Sequence, residues 1–324
     1  MNNNVSVLSD ICNGNMSQIK SLKYEDPSFH WCEIYYPKTK ETCLHKAAQF
    51  GHVEIVDYLL TEFSPKHVDI RNIDNKTPLH EGAQFGKLEC VKMLLQHGAE
   101  INAIKRSDWT PLMLACTKED DCYVEIVQYL LDKGAILNFQ NKDGWTSLHI
   151  AARNSNPSFL KMLLNKNVNV NVKTKNQRNA LHIAALHGNL KNVELLISHI
   201  NPNEIDSSGN TSFHEAVLGG ELEVVNYLIK KGANINVSNN AGANALHLAA
   251  GQGLSNFIHL LVNTYGFDVN TKDSNGYTPL HYATRKGNYS EMKILIELGS
   301  DIHQLDHSDK TAYDYFIKCP SNNL

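Results

Sequence analysis

Sixteen of the 324 residues are histidine, and seven of them return at one place in a repeated tetrad: His45, His80, His149, His182, His214, His247 and His281. Each closes a phrase of the form Thr-x-x-His or Asn-x-x-His, from TCLH at Thr42–His45 to TPLH at Thr278–His281. Imidazoles in such number could ligate a metal or relay protons. The spacing argues against both. Two nitrogens on one zinc, each bound at about 2.0–2.1 Å, must lie within roughly 4 Å of each other. Histidines one repeat apart sit on helices packed about 8–10 Å apart. Such a row cannot share an ion, so neither metal nor cofactor is expected. The imidazoles are expected instead to bond backbone groups and tetrad threonines of adjacent turns. Met113, in the fourth place of TPLM at Thr110–Met113, fits a packing position. The chain has no Walker loop, no GxSxG elbow and no paired CxxC, and is not expected to be an enzyme.

Amines are the second candidate chemistry. Basic side chains gather before successive tetrads: Lys105 and Arg106, then Lys142, then Lys173 and Lys175. Arg106, Lys142 and Lys175 stand three residues before Trp109, Trp145 and Arg178. They are therefore expected to project in register from neighbouring fingers, and Arg106 and Lys175 are candidate contacts for a protein partner on the concave, hairpin-bearing face. A lysine before Asp-Gly suits a solvated tip equally well. Trp109, Trp145 and Tyr277 each stand immediately before a tetrad. Tryptophan is enriched in interface hot spots, which makes Trp109 and Trp145, on consecutive repeats, candidate partner contacts. The alternative is that each covers its own hairpin. Asp120 and Asp121 read as a solvated turn.

The elements that must position these residues follow from the period. First residues of the tetrads fall at 42, 77, 110, 146, 179, 211, 244 and 278, and a decayed copy, TAYD, starts at Thr311. Small residues follow each tetrad, as in Ala47-Ala48 and Ala249-Ala250. They permit a short first helix to lie close to its neighbours. After a turn comes an apolar stripe at helical spacing, such as Ile55, Val56, Leu59 and Leu60, or Val224, Val225, Leu228 and Ile229. Gly98, Gly134, Gly232 and Gly299 are expected to close second helices in the left-handed conformation. A period near 33 with this tetrad is the signature of ankyrin repeats. The predicted fold is all-α: a solenoid of about nine helix–turn–helix repeats with β-hairpin fingers, read as one domain over 1–324. Residues 1–40 form a divergent capping repeat and connection, 41–309 eight repeats, and 310–324 a capping helix and tail. Asp10–Leu22 reads as a worn first repeat. Glu25–Lys40, with Trp31, Tyr35 and Tyr36, is expected to pack over the first turn of the stack. Repeat three carries about three extra residues near Lys118–Asp121, where insertions are cheap.

Composition agrees with a binding module. A net charge of −4 does not favour direct nucleic-acid binding. Seven scattered cysteines show no metal or disulfide spacing. The N-terminus MNNNVSVLSD lacks a basic-then-apolar leader, and no apolar run approaches the roughly 20 residues of a membrane span. The chain is expected to be a monomer in a reducing compartment, cytoplasm or nucleus.

A more specific resemblance rests on Lys105–Lys118 (KRSDWTPLMLACTK), Asn141–Arg153 (NKDGWTSLHIAAR), Pro78–Glu81 (PLHE), Ala180–Gly188 (ALHIAALHG), Gly242–Ala250 (GANALHLAA) and Gly266–Asn270 (GFDVN). In order, these segments resemble the ankyrin repeat domain-containing protein 16 family. That resemblance implies a cofactor of alanyl-tRNA synthetase, which binds its catalytic region and takes misactivated serine onto lysine side chains before it reaches tRNA. The family's acceptor lysines fall on Arg106, Lys142 and Lys173. Arg106 stays protonated and is no acceptor; adjacent Lys105 is the substitute. A plain ankyrin scaffold with inert lysines is the alternative.

Overall fold

A reciprocal cap starts most of the first helices, and it is written in the tetrad. The computed structural model describes residues 2–25, 31, 34–62 and 67–316. Thr42, Thr77, Thr146, Thr211 and Thr278 are extended N-caps whose side chains face the backbone N–H of the histidine three residues on. Each histidine turns back, and its Nδ1 accepts the threonine's backbone N–H at 3.1–3.2 Å. Two N–H groups that a helix start would leave orphaned are thereby satisfied. Asn179 and Asn244 cap in the same way. In the decayed copy, Asp314 takes the histidine's place and accepts from Thr311 N at 2.7 Å. That cap sets the last helix at Ala312–Phe316. The expected start at Lys310 is thus too early by two residues, and residues 317–324 lie outside the described set.

Nine helix pairs precede that last helix among the described residues, beginning with Asn2–Cys12 and Met16–Glu25 and ending with Pro279–Lys286 and Tyr289–Glu297. First helices pack on first helices through their small residues; Ala47, Ala48, Ala249 and Ala250 are fully buried. Second helices bury the stripes read from the sequence, including Ile55, Val56 and Leu59, and Val224, Val225 and Leu228. Contacts group into two compact units, Met1–Asn169 and Val170–Leu324.

Gly98, Gly134, Gly232 and Gly299 close their helices at φ 86°, 89°, 88° and 97°. The insertion in repeat three is fastened by the next repeat: Asn154 Nδ2 donates to the carbonyls of Cys116 and Lys118, and Asn156 Nδ2 to that of Glu119. One extra residue in repeat seven is absorbed as a π-helical turn at Leu260–Thr264. In the N-terminal connection, Trp31 is buried edge-on against Tyr58 and Lys46 Nζ lies over the Tyr36 ring; residues 26–30, 32 and 33 lie outside the described set.

The fingers are turns rather than paired strands. Among the described residues no strand forms, and only Tyr35–Thr42 and Lys105–Trp109 make isolated bridges. The fingers are too short for a ladder, and those at Asn72, Asn141, Asp206, Asn239, Asp273 and Asp306 close on an Asx side chain, whereas Thr174 and Lys105 hold that place in two others. Asn141 Oδ1, for example, accepts from the N–H groups of Asp143 and Trp145, both at 2.9 Å. Tips then bond to the next tip. In the first unit Arg106 N donates to Asp74 O and Lys142 N to Ser107 O; in the second Asn240 N donates to Ser208 O and Ser274 N to Ala241 O. A Cβ on Gly242 would lie 2.6 Å from Ser274 N, so that tip requires glycine.

Candidate protein-binding site

The tetrad histidines are positioning groups. Nε2 of His45, His80, His182, His247 and His281 reaches the carbonyl of Lys76, Trp109, Asn210, Tyr277 and Lys310, at 2.9–3.2 Å. A carbonyl only accepts, so Nε2 carries the proton; in the threonine-capped repeats Nδ1 is then the acceptor. Each bond fixes the residue immediately before the next tetrad. His214 is an exception and reaches Val237 O at 3.2 Å. Burial holds the pKa of His45 and His214 down to about 4 and of His80 to about 3. The rings are neutral and bond the backbone, as expected, but the threonine met in the threonine-capped repeats belongs to the histidine's own tetrad and not to an adjacent turn.

Trp109 is the residue that His80 fixes. It follows a 3₁₀ turn, Arg106–Asp108, in which Ser107 and Asp108 take positive φ. Trp145 is held by its finger, exchanging hydrogen bonds with Asn141. Both indoles are half-buried and line one open cleft of about 420 Å³, with Ile150 on its floor and Glu119, Asp143 and Arg153 around it. Both indoles thus line a shared depression. Arg153 and Glu119 escaped the sequence reading. Arg153 stands eight residues after Trp145, a relation repeated by Lys76 and Gln84, whose side chains touch at 2.8 Å. Repeat register therefore held the signal.

Lys105 Nζ lies 5.8 Å from the Trp109 ring, within reach of the charges of Lys76, Asp74 and Glu81 in the preceding repeat. Burial, and next the charge of Lys76, hold its amine below the usual lysine range. Arg106 is exposed and bonds Asp74 Oδ1 at 3.4 Å. Lys142 is exposed on the following tip. Lys173 and Lys175 belong to the second unit; Lys173 pairs with Glu204 at 2.9 Å, and Lys175 is exposed. Arg178 turns inward to Asp206 and to fully buried Glu215, at 3.3 and 2.9 Å. Among the described residues no group of three or more His, Cys, Asp or Glu could hold a metal, and no helix is long and apolar enough to cross a membrane.

The family profile described as Ankyrin repeats (3 copies) matches residues 9–105, 102–174, 167–239 and 235–306. The chain belongs to the ankyrin repeat family. It is 32% identical over 117 residues to Transient receptor potential cation channel subfamily A member 1 of Homo sapiens, which is 35% of this chain and 10% of that protein. It is 38% identical over 74 residues to Protein phosphatase 1 regulatory subunit 12A of Mus musculus, 23% of this chain and 7% of that protein. It is 37% identical over 93 residues to Alpha-latrotoxin-Lhe1a of Latrodectus hesperus, 28% of this chain and 7% of that protein. The chain thus spans a tenth or less of the length of these curated relatives. Ankyrin repeats are protein–protein interaction modules.

Proposed function

We propose that the chain is an adaptor that receives a partner protein on the Trp109–Trp145 cleft, and that the partner is the catalytic region of alanyl-tRNA synthetase. The cleft is the observation that carries the binding reading: two half-buried indoles on consecutive repeats, edged by charge, have the make-up of an interface hot spot. The resemblance in Lys105–Lys118 and Asn141–Arg153 supplies the choice of partner. On the same reading the chain captures misactivated serine. A neutral lysine amine attacks the carbonyl of seryl-adenylate; an amide bond forms, AMP leaves, and the amine gives up a proton. The lysine is consumed, so the chain is a stoichiometric acceptor rather than an enzyme. Lys105, Lys142 and Lys173 are the candidates. Lys105 is the strongest of the three, since its amine lies by the Trp109 ring and is biased toward the neutral form.

The test incubates the protein with the synthetase, serine and ATP, and follows intact mass and peptide maps. Seryl additions on lysine are expected, and they should increase with pH because only the neutral amine attacks. Lys105 should respond at lower pH than an ordinary lysine. Replacing Lys105, Lys142 and Lys173 together with arginine keeps the charge and should abolish modification. Full modification of that variant would remove all three assignments. Binding without modification would leave an adaptor alone, and failure to bind would leave a module for another protein partner.

A further inference from the structure

The second unit carries an arginine mounted on aromatic faces, at a repeat position equivalent to Arg153. Tyr277 stands immediately before its tetrad, and Arg285 eight residues later at the end of helix Pro279–Lys286. The Arg285 guanidinium carbon lies 4.6 Å from the Tyr277 ring centre and 5.5 Å from that of Tyr315. Those rings meet edge to face at 5.9 Å, and their hydroxyls are 3.4 Å apart. The support is itself locked. His247 Nε2 donates to Tyr277 O at 3.0 Å, Tyr282 donates its hydroxyl to Asp273 Oδ2 at 2.9 Å, and Tyr315 donates to Asp306 Oδ2 at 2.5 Å.

Two buried carboxylates therefore stand in the cluster, yet neither pairs with the arginine. Asp273 Oδ1 receives the N–H groups of Asn275 and Tyr277, and Asp306 Oδ1 those of Ser308 and Lys310. Tyrosine hydroxyls take the remaining oxygens. Among the described residues no hydrogen bond or ion pair engages the Arg285 guanidinium, which is exposed. A fork of five donors is thus held against two rings with its donors unspent. Lys310 Nζ, 5.6 Å from the Tyr315 ring, adds a second positive charge.

We infer that Arg285 on its tyrosine mount is a binding site for a carboxylate side chain in an acidic segment of a partner protein. A planar carboxylate accepts from a guanidinium in the two-bond geometry that this fork offers. The rings restrain the arginine before binding, which lowers the entropy lost on capture. A nucleic-acid backbone fits less well, because a run of phosphates is held by many cations, whereas this mount offers Arg285 and Lys310 on a chain of net charge −4. The inference is independent of the cleft at Trp109 and Trp145 and of the synthetase.

The probe is a short, blocked, fluorescein-labelled glutamate-rich peptide, titrated into the full chain by fluorescence anisotropy. Its glutamine counterpart and a single-stranded oligonucleotide are run beside it. The glutamate peptide is expected to bind and the glutamine peptide not. Arg285→Lys keeps the charge but loses the fork, and should weaken binding by about tenfold or more with an unchanged circular dichroism spectrum. Tyr277→Leu should weaken it in the same direction. Lys286→Gln removes a neighbouring charge without touching the mount and should alter affinity by less than about twofold. The inference is overturned if Arg285→Lys binds as the parent does, if Lys286→Gln costs as much as Arg285→Lys, if the glutamine peptide binds equally, if the oligonucleotide binds in place of the glutamate peptide, or if nothing binds.

Discussion

A buried histidine that must stay neutral makes stability depend on pH, and here the same device recurs along the chain. Burial lowers the pKa of His45, His80, His182, His214, His247 and His281. In the unfolded chain a histidine takes up its proton as pH falls through about 6.5. In the fold His45 and His214 wait until about 4. Between those values the unfolded state holds more protons, so stability is full above the unfolded pKa and is lost as pH falls. The urea midpoint is expected to be level from about pH 8 to about pH 7 and to decline toward about pH 5. Glu81 and Glu215, whose carboxyls burial raises, bind protons in the fold and oppose that decline at its acid end. A midpoint unchanged between neutral and mildly acid solution would mean that the histidines are charged in the fold. A second residue-scale outcome concerns Arg178. Removing it as Arg178→Met leaves Glu215 buried without its cation and should cost about 2–3 kcal/mol by urea titration, with partial recovery in Arg178→Met/Glu215→Gln. Equal stabilities of parent and single variant would show that Glu215 is protonated.

The elements were legible because their signals are local and repeated. A tetrad that caps, an alanine pair and an apolar stripe each announce a helix without knowledge of the rest of the chain. Fingers were less so: the sequence shows a turn but not that tip-to-tip bonds replace a strand ladder, since Asn240 and Ser208 meet only once the repeats are stacked. The π-helical turn at Leu260–Thr264 was likewise hidden, because a single added residue between tetrads does not say where it is absorbed. The two tryptophans were legible as candidates, while the cleft between them needed Glu119 and Arg153 from other elements. Trp109→Ala with Trp145→Ala tests that cleft. Because both indoles are only half-buried, the fold should survive, with partner affinity reduced by about 2 kcal/mol or more per indole. Isothermal titration with the synthetase measures this, and an unchanged affinity on an unchanged circular dichroism spectrum would return both indoles to a local packing role.

At the scale of the whole molecule, a repeat stack draws stability from neighbours rather than from one central core. Within each unit, interior repeats are packed on both sides. In the first unit the helix Asn2–Cys12 packs on Met16–Glu25 and Cys43–Phe50, and in the second the helix Ala312–Phe316 packs on Pro279–Lys286. Partner identity is not written in such an architecture, because the residues that fix the fold recur in every repeat and those that choose a partner do not. That is why the tetrads could be read to the residue, whereas Arg285 gains meaning only when Tyr315, from the last helix, closes on it. The single domain expected over 1–324 has a matching test. Hydrogen exchange followed by mass spectrometry in water should show the fastest exchange at Asn2–Cys12 and Ala312–Phe316 and the slowest in helices such as Pro78–Gln84 and Ala245–Gln252. For a single domain, protection in Pro78–Gln84 and in Ala245–Gln252 should disappear over the same concentration range as urea is added. Loss of one at clearly lower urea than the other would instead make Met1–Asn169 and Val170–Leu324 separate cooperative blocks.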